Sequence, residues 1–138
     1  MVALFFYKGG DYSKYITPTF TDVVAGQWYT SYVEWAADKA IVNGLGNGIF
    51  GINGNVTVEQ ACTILARYNG FKRGNTTGKT TASFADGNTV SAWAKEGVEW
   101  AVANGVYEGI GGMLKPTSSA SRGTVAKIFA NYVSVYGK

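Results

Sequence analysis

Val33-Glu34-Trp35-Ala36, with Gly44 eight residues beyond it, recurs as Val98-Glu99-Trp100-Ala101, with Gly109 eight residues beyond. This recurrence decides the architecture, because self-similarity at a fixed period identifies a repeat protein before any site can be placed. Working towards the N-terminus, Phe20 and Asp22 return as Phe84 and Asp86, and Trp28 returns as Trp93. Towards the C-terminus, Gly48 matches Gly112, and Thr57, Ile64, Ala66 and Tyr68 match Ser121, Ile128, Ala130 and Tyr132. The offset is 64 residues at both ends of the unit and 65 in its middle. A partial third copy stands at the start, where Leu4, Tyr7 and Gly9 align with Leu65, Tyr68 and Gly70. The implied organisation is a tail helix and connector over 1–19, a first repeat over 20–71, a connector over 72–83 and a second repeat over 84–138.

Within a repeat the hydrophobic spacing reads as two helices around a turn. Trp28 to Val42 places apolar residues at 29, 33, 36 and 40, one face of a helix, and the glycine-rich stretch from Asn43-Gly44 onward ends it. Thr57 with Gln60 three residues later has the form of a capping box, which predicts a second helix with Ala61, Ile64, Leu65 and Tyr68 on one face. In the second repeat the first helix is expected over Trp93 to Val106. Ser121 then caps the second, with Val125, Ile128, Phe129 and Tyr132 along its face. The expected fold is all-α, two helix-loop-helix units packed through their second helices. Leu4 to Tyr7 are expected to dock against these as a helix.

Composition removes several classes of function. The chain has 138 residues, enough for a sizeable core, and is 46% hydrophobic with only 15% charged residues, so it is a folded domain rather than a disordered tail. Histidine is absent, which excludes Ser-His-Asp triads, Cys-His dyads and His-ligated metals. The single cysteine, Cys62, reads as a small buried apolar side chain. A net charge of +3 with scattered basic residues does not call for nucleic acid, and the Lys72-Arg73 pair reads as part of a solvated connector. Val2 to Tyr7 is too short to span a membrane, and no signal peptide is visible. Glu34 and Asp38 lie one helical turn apart, the raw material of a glycosidase pair. Both are expected to face solvent, and Asp38 becomes Ala103 in the second repeat, so no enzyme, cofactor or metal is expected.

The same residues resemble the S-layer homology family. The likeness lies in Phe20-Thr-Asp-Val23, Trp28-Tyr29, Glu34 to Gly44, Gly46-Asn-Gly48-Ile-Phe50 and Val56 to Gln60. It returns in Phe84-Ala-Asp86, Trp93, Glu99-Trp-Ala101, Gly105-Val106, Gly109, Gly111 to Pro116 and Ala120 to Thr124. What the resemblance implies is a pseudo-threefold bundle, usually of three tandem repeats, with ligand grooves between neighbours. It also implies a non-covalent anchoring role at the cell wall of a Gram-positive-type bacterium. The expected partner is a cell-wall polysaccharide, often one carrying an acidic pyruvate ketal. Two features depart from the family pattern. Its Thr-Arg-Ala-Glu-like motif, which supplies a ligand-contacting arginine, reads Thr57-Val58-Glu59-Gln60 in one repeat and Ser121-Arg122-Gly123-Thr124 in the other. The third repeat is also reduced to its last helix, which leaves two readings, a fragment or a homo-oligomer that completes the missing repeat.

The candidate ligand-contacting residues are therefore Arg122, Ser121, Thr57, Gly44, Gly109, Trp28 and Trp93. Arg122 falls in the first turn of a helix, where the dipole disfavours a cation by about 0.3–1 kcal/mol. One reading is a carboxylate receptor built from the free N–H groups, Ser121 Oγ and the guanidinium, and the other is a solvated side chain. Trp28, Trp35, Trp93 and Trp100 read as core residues at helical spacing, with partial exposure of one pair as the observation that would turn that pair into sugar platforms. Gly44, Gly46, Gly109 and Gly111 answer a backbone need first and close ligand approach second. Asp22 and Asp86 are expected to cap a turn or a helix, and Glu59 to complement the dipole of its helix. The alternative to an anchor is a structural, self-associating module whose polymer sites have decayed.

Overall fold

The structure, a computed structural model, describes residues 15–52, 54–74 and 76–137. The tail helix expected near the N-terminus falls outside them. Among the described residues the structure has four α-helices, Thr30–Asp38 (α1), Val58–Asn69 (α2), Lys95–Ala103 (α3) and Arg122–Tyr136 (α4), with three single 3-10 turns between α2 and α3 and no strand. The all-α expectation holds. The chain forms two compact units, Met1–Gly54 and Asn55–Lys138, so that α2, the second helix of the first repeat, is built into the second unit.

In the first unit α1 is shorter at both ends than the spacing predicts. Its C-terminus is set by Ala40 at φ 57°, where the Ile41 N–H reaches back to the Ala36 carbonyl at 2.9 Å and closes the helix before Asn43. The second repeat stops α3 in the same way. Gly105 takes φ 75° and Val106 N–H donates to Ala101 O at 2.8 Å. A left-handed conformation strains an alanine and not a glycine. Ala40→Gly is therefore expected to stabilise the first unit by about 1 kcal/mol in urea unfolding.

The second unit is organised by α2 lying along α3, with α4 against α2. The main helix contact is thus between the second helix of one repeat and the first helix of the next, whereas the sequence pattern predicts the two second helices as the main contact. Gly97 is the reason. A Cβ placed on it would lie 2.7 Å from Thr63 Cα, so only glycine lets the two backbones approach this closely. Cys62, Thr63, Leu65, Ala66 and Tyr68 of α2 are buried, as are Val98, Trp100, Ala101 and Val102 of α3. Ala61 and Ile64, expected on the buried face, are only half-buried. On α4, Ile128 and Tyr132 are buried and Phe129 is half-buried, but Val125 is exposed. Tyr132 meets Tyr68 edge-on at 6.0 Å and donates its hydroxyl to Asn69 Oδ1 at 3.1 Å, which is where the two second helices do touch.

The connector is pinned although residues 72–74 and 76–80 are exposed. Trp100 Nε1–H and Tyr136 O–H both donate to the Lys72 carbonyl, at 2.9 and 2.7 Å, and the two rings stack at 5.8 Å. Asn104 Oδ1 accepts from Gly74 N–H and Thr77 donates to Val102 O. The glutamate of each Val-Glu-Trp-Ala motif holds the segment entering its repeat. Glu34 accepts from the Thr19 hydroxyl at 2.7 Å and Glu99 from the Thr81 N–H at 3.0 Å. Glu34 is consequently buried, against the expectation that it faces solvent, while Asp38 is exposed beside Lys39.

Candidate functional site

Each repeat holds its glycine-rich loop by the same device. Asp22 accepts from the backbone N–H groups of Phe50, Gly51 and Ile52 at 2.8, 2.7 and 3.1 Å, and Asp86 from those of Leu114 and Lys115 at 2.7 and 2.9 Å. Both aspartates are thus turn caps, tying the loop from the chain segment that precedes the first helix of the repeat. The phenylalanine two residues earlier completes the device. A Cβ on Gly44 would meet the Phe20 ring at 2.7 Å, and one on Gly109 the Phe84 ring at 2.6 Å, with φ of 77° and 84°. Gly44 and Gly109 therefore serve the backbone, and the space beside each Cα is filled by a phenyl ring.

Donated backbone hydrogen bonds, led by that of Phe50 for Asp22 and that of Leu114 for Asp86, hold both carboxyls below the ordinary value of 3.8. A depressed native value means that this stabilisation is complete above 3.8 and is lost as the pH falls through the native value. Acid unfolding is expected to begin below about pH 4. The Asp22→Asn/Asp86→Asn double variant should be less stable at pH 7 and should have a flatter acid limb, measured by circular dichroism.

The starts of the two second helices lie side by side in the second unit. Residues 56–58 pair with 118–120 through Val58 N–H to Ser118 O at 3.0 Å and Ala120 N–H to Val56 O at 2.8 Å, with Thr57 and Ser119 facing each other as an antiparallel bridge. Thr57 caps α2 in a complete capping box with Gln60. Glu59 N–H donates to Pro116 O at 2.8 Å, so the first turn of α2 has its donors satisfied and Val58 is buried beneath it. Glu59 is buried too, and does more than complement a dipole. Its carboxylate accepts the Ser91 N–H at 2.9 Å and the Ser91 hydroxyl at 2.7 Å.

α4 begins differently. Ser121 Oγ accepts the Thr124 N–H at 3.0 Å and meets the Thr124 hydroxyl at 2.9 Å, whereas the N–H groups of Arg122 and Gly123 have no acceptor among the described residues. Ser121, Arg122 and Gly123 are all exposed. One helix start is closed and the equivalent one is open, with a guanidinium at its edge.

The tryptophans divide into pairs. Trp35 and Trp100 are buried as expected, but Trp28 is 75% exposed and Trp93 54% exposed, which overturns the core reading for that pair. Trp93 sits in a single 3-10 turn, Ala92–Ala94, two residues beyond the Ser91 that Glu59 holds. Trp28 stands at the entrance to α1, edge-on to Tyr29 at 5.6 Å. Sequence reasoning missed that Leu45 and Ile110, at equivalent positions in the two glycine-rich loops, are also exposed. The repeat register carried that signal, since an apolar residue recurs there between two glycines. It also missed an open groove of about 480 Å³ beside the second repeat, lined by Thr81, Asn88, Val90, Lys95, Glu96 and Glu99. Arg122, Ser121 and Thr57 are brought to one end of the second unit. The exposed Trp93 is tied to that end through Glu59, while Trp28 and Gly44 belong to the first unit.

Burial pushes the Cys62 thiol up to about 12, with the Glu59 charge adding to the shift, so the one thiol is held protonated at neutral pH. Among the described residues no three of His, Cys, Asp and Glu cluster as a metal site, and no helix is long and apolar enough to cross a membrane.

A family model described as "S-layer homology domain" matches residues 19–62 and 83–126, more than half of the chain and in step with the two repeats. The chain belongs to the S-layer homology domain family. It is 32% identical over 118 residues to the "Surface-layer 125 kDa protein" of Lysinibacillus sphaericus, a match that covers 83% of this chain and 10% of that protein. The chain thus spans about a tenth of the length of that relative. Family membership makes it a cell-wall anchoring module in the general sense, associated with the cell wall at the cell surface.

Proposed function

We propose that the chain grips an acidic secondary cell-wall polymer, a pyruvylated polysaccharide of a Gram-positive-type wall, and so holds the protein that carries it at the cell surface without a covalent bond. The observation that carries this reading is the open start of α4. Two N–H groups with no acceptor among the described residues, those of Arg122 and Gly123, stand beside an exposed guanidinium, a constellation suited to a carboxylate. The cation at the start of α4 works against the helix dipole, and the equivalent start of α2 has Val58 there and is already closed by Pro116 and Ser118. Trp93, exposed two residues beyond the Ser91 that Glu59 holds, offers an apolar face and an N–H for a sugar ring.

The test is co-sedimentation of the chain with wall sacculi before and after chemical stripping of the secondary polymer. Binding should vanish on stripping. Arg122→Ala should weaken it by about tenfold or more, the cost of one charge-assisted contact. Unchanged affinity in Arg122→Ala would remove the site, and binding that survives stripping would remove the polymer as the ligand. The closed start of α2 favours a second reading for the first repeat, that its own polymer site has been given over to packing.

A further inference from the structure

We infer that Asn47 is a self-modification site, where the backbone nitrogen of Gly48 attacks the side-chain amide and leaves aspartate or isoaspartate in the glycine-rich loop of the first repeat. The inference stands independently of wall binding. Asn-Gly is the pair in which this chemistry meets least obstruction, because glycine has no side chain to shield its nitrogen. The chain has five such pairs, at 43–44, 47–48, 53–54, 69–70 and 104–105. Residue 53 lies outside the described residues, and the fold separates the other four. Asn104 is buried, its Oδ1 accepting from Gly74 N–H and its Nδ2 donating to Trp100 O, both at 2.8 Å. The nitrogen next to it is engaged as well, since Gly105 N–H donates to Val102 O at 3.3 Å. Asn69 is held in the same manner. Its Oδ1 accepts from the Tyr132 hydroxyl at 3.1 Å, its Nδ2 donates to Lys72 O at 3.4 Å, and Gly70 N–H donates to Arg67 O at 3.1 Å.

Asn47 has none of these restraints. It is exposed, and among the described residues neither its side chain nor the Gly48 N–H has a hydrogen-bond partner. Asn47 and Gly48 are the central residues of a turn between Gly46 and Ile49, which face each other as an antiparallel bridge, and both have positive φ, 54° and 74°. A methyl on Gly48 would meet only Thr21 Cγ2, at 3.8 Å, so this peptide has room to rotate toward the amide. Asn43 is exposed too, but Gly44 beside it is wedged, its Cβ position lying 2.7 Å from the Phe20 ring and 2.6 Å from Ile49 O. In the second repeat Gly111-Gly112 stands in place of Asn47-Gly48 and has no amide to lose. The step balances with water alone. Gly48 N bonds to Asn47 Cγ as the Cγ–Nδ2 bond breaks, the proton of Gly48 N–H leaves with the amide as ammonia, and water opens the cyclic imide at either carbonyl. Each event lowers the net charge of +3 by one. Opening at the main-chain carbonyl gives isoaspartate, which lengthens the backbone inside a turn that Ile49 N–H closes on Gly46 O at 3.0 Å. Thr21 N–H holds the same turn through Gly48 O at 2.8 Å, so the modified loop loosens from the segment that precedes α1.

The test is incubation of the folded full chain at physiological pH and temperature, followed by peptide mapping with fragmentation that tells aspartate from isoaspartate. Conversion at Asn47 should be faster than at Asn43, Asn69 and Asn104 by about tenfold or more, and should appear as a more acidic species on ion exchange. In concentrated urea the four sites should react at similar rates, because the restraints that separate them belong to the fold. Asn47→Gly, which gives the first repeat the residue of the second, should abolish the fast conversion and leave the circular dichroism spectrum unchanged. The purified isoaspartate form should show faster hydrogen exchange at the Thr21 and Ile49 N–H groups. Conversion at Asn47 no faster than at Asn69 and Asn104 in the folded chain overturns the site, and unchanged exchange in the modified form overturns the loosening of the loop.

Discussion

Replacing Gly97 with valine is expected to be among the most destabilising single changes in the second unit, costing about 3 kcal/mol or more through overpacking. The argument turns on sign as much as on size. Within a helix, replacing glycine by alanine ordinarily gains about 0.5–1 kcal/mol, because the unfolded chain loses freedom and the helix gains a better former. At Gly97 the added Cβ would lie 2.6 Å from Thr63 Oγ1 and 2.7 Å from Thr63 Cα. The hydroxyl could turn away, but the Cα belongs to the backbone of α2, and relief requires the two helices to separate. Even alanine is expected to destabilise here, by about 1–3 kcal/mol, and valine by more. Gly123 supplies the control. It lies in the first turn of α4, where an added methyl would find its nearest neighbour in Ser121 Oγ at 3.8 Å. Gly123→Ala should therefore be neutral or stabilising by a few tenths of a kcal/mol. Urea unfolding of the three variants checks the contrast. Equal behaviour of Gly97→Ala and Gly123→Ala would mean that α2 and α3 are not held this closely.

The repeat made most of the fold legible, and the failures have physical causes. Both helix caps, Thr57 and Ser121, were readable because a cap is a local contract between a side chain and the N–H three residues on. The stop of α1 was not, because Ala40 in a left-handed conformation has no signal in composition, although the alignment with Gly105 already held the clue. Glu34 defeated the helical-wheel reading. Its burial depends on Thr19, fifteen residues earlier in the chain, and no local periodicity reports such a partner. The choice of α3 rather than α4 as the main neighbour of α2 hangs on Gly97, a residue that in sequence looks only like a weak point in a helix.

The candidate site was legible in part. Arg122 was visible as a misplaced charge, and the structure adds what the sequence could not, that the helix start beside it is open while that of α2 is closed. Closure of α2 depends on carbonyls of Pro116 and Ser118, nearly sixty residues away in the chain, which only folding brings to Val58 and Glu59. The aspartates were read as caps, but the N–H groups they hold lie 28 to 30 residues away, so their targets had to be seen.

Trp93→Ala is expected to separate binding from stability, and Trp100→Ala to do the reverse. Trp93 is 54% exposed and lies in a turn that the Glu59–Ser91 hydrogen bonds hold through the backbone and the serine hydroxyl. Its indole is not needed to keep that turn in place, so Trp93→Ala should change unfolding stability by no more than about 0.5 kcal/mol. If the ring is a platform for the polymer, its loss removes a large aromatic contact. Affinity for sacculi should then fall by about tenfold to a hundredfold, the range of an aromatic hot spot. Trp100 is buried, stacks on Tyr136 and donates to the Lys72 carbonyl, so its truncation should cost about 3–5 kcal/mol and loosen both the connector and the end of α4. Any loss of wall binding in Trp100→Ala should then track the fraction unfolded, whereas the loss in Trp93→Ala should appear in a fully folded protein. A folded Trp93→Ala chain that binds sacculi like the wild type would leave the exposed indole without a role in the polymer site. The carboxylate receptor at the start of α4 would then have to account for the affinity alone.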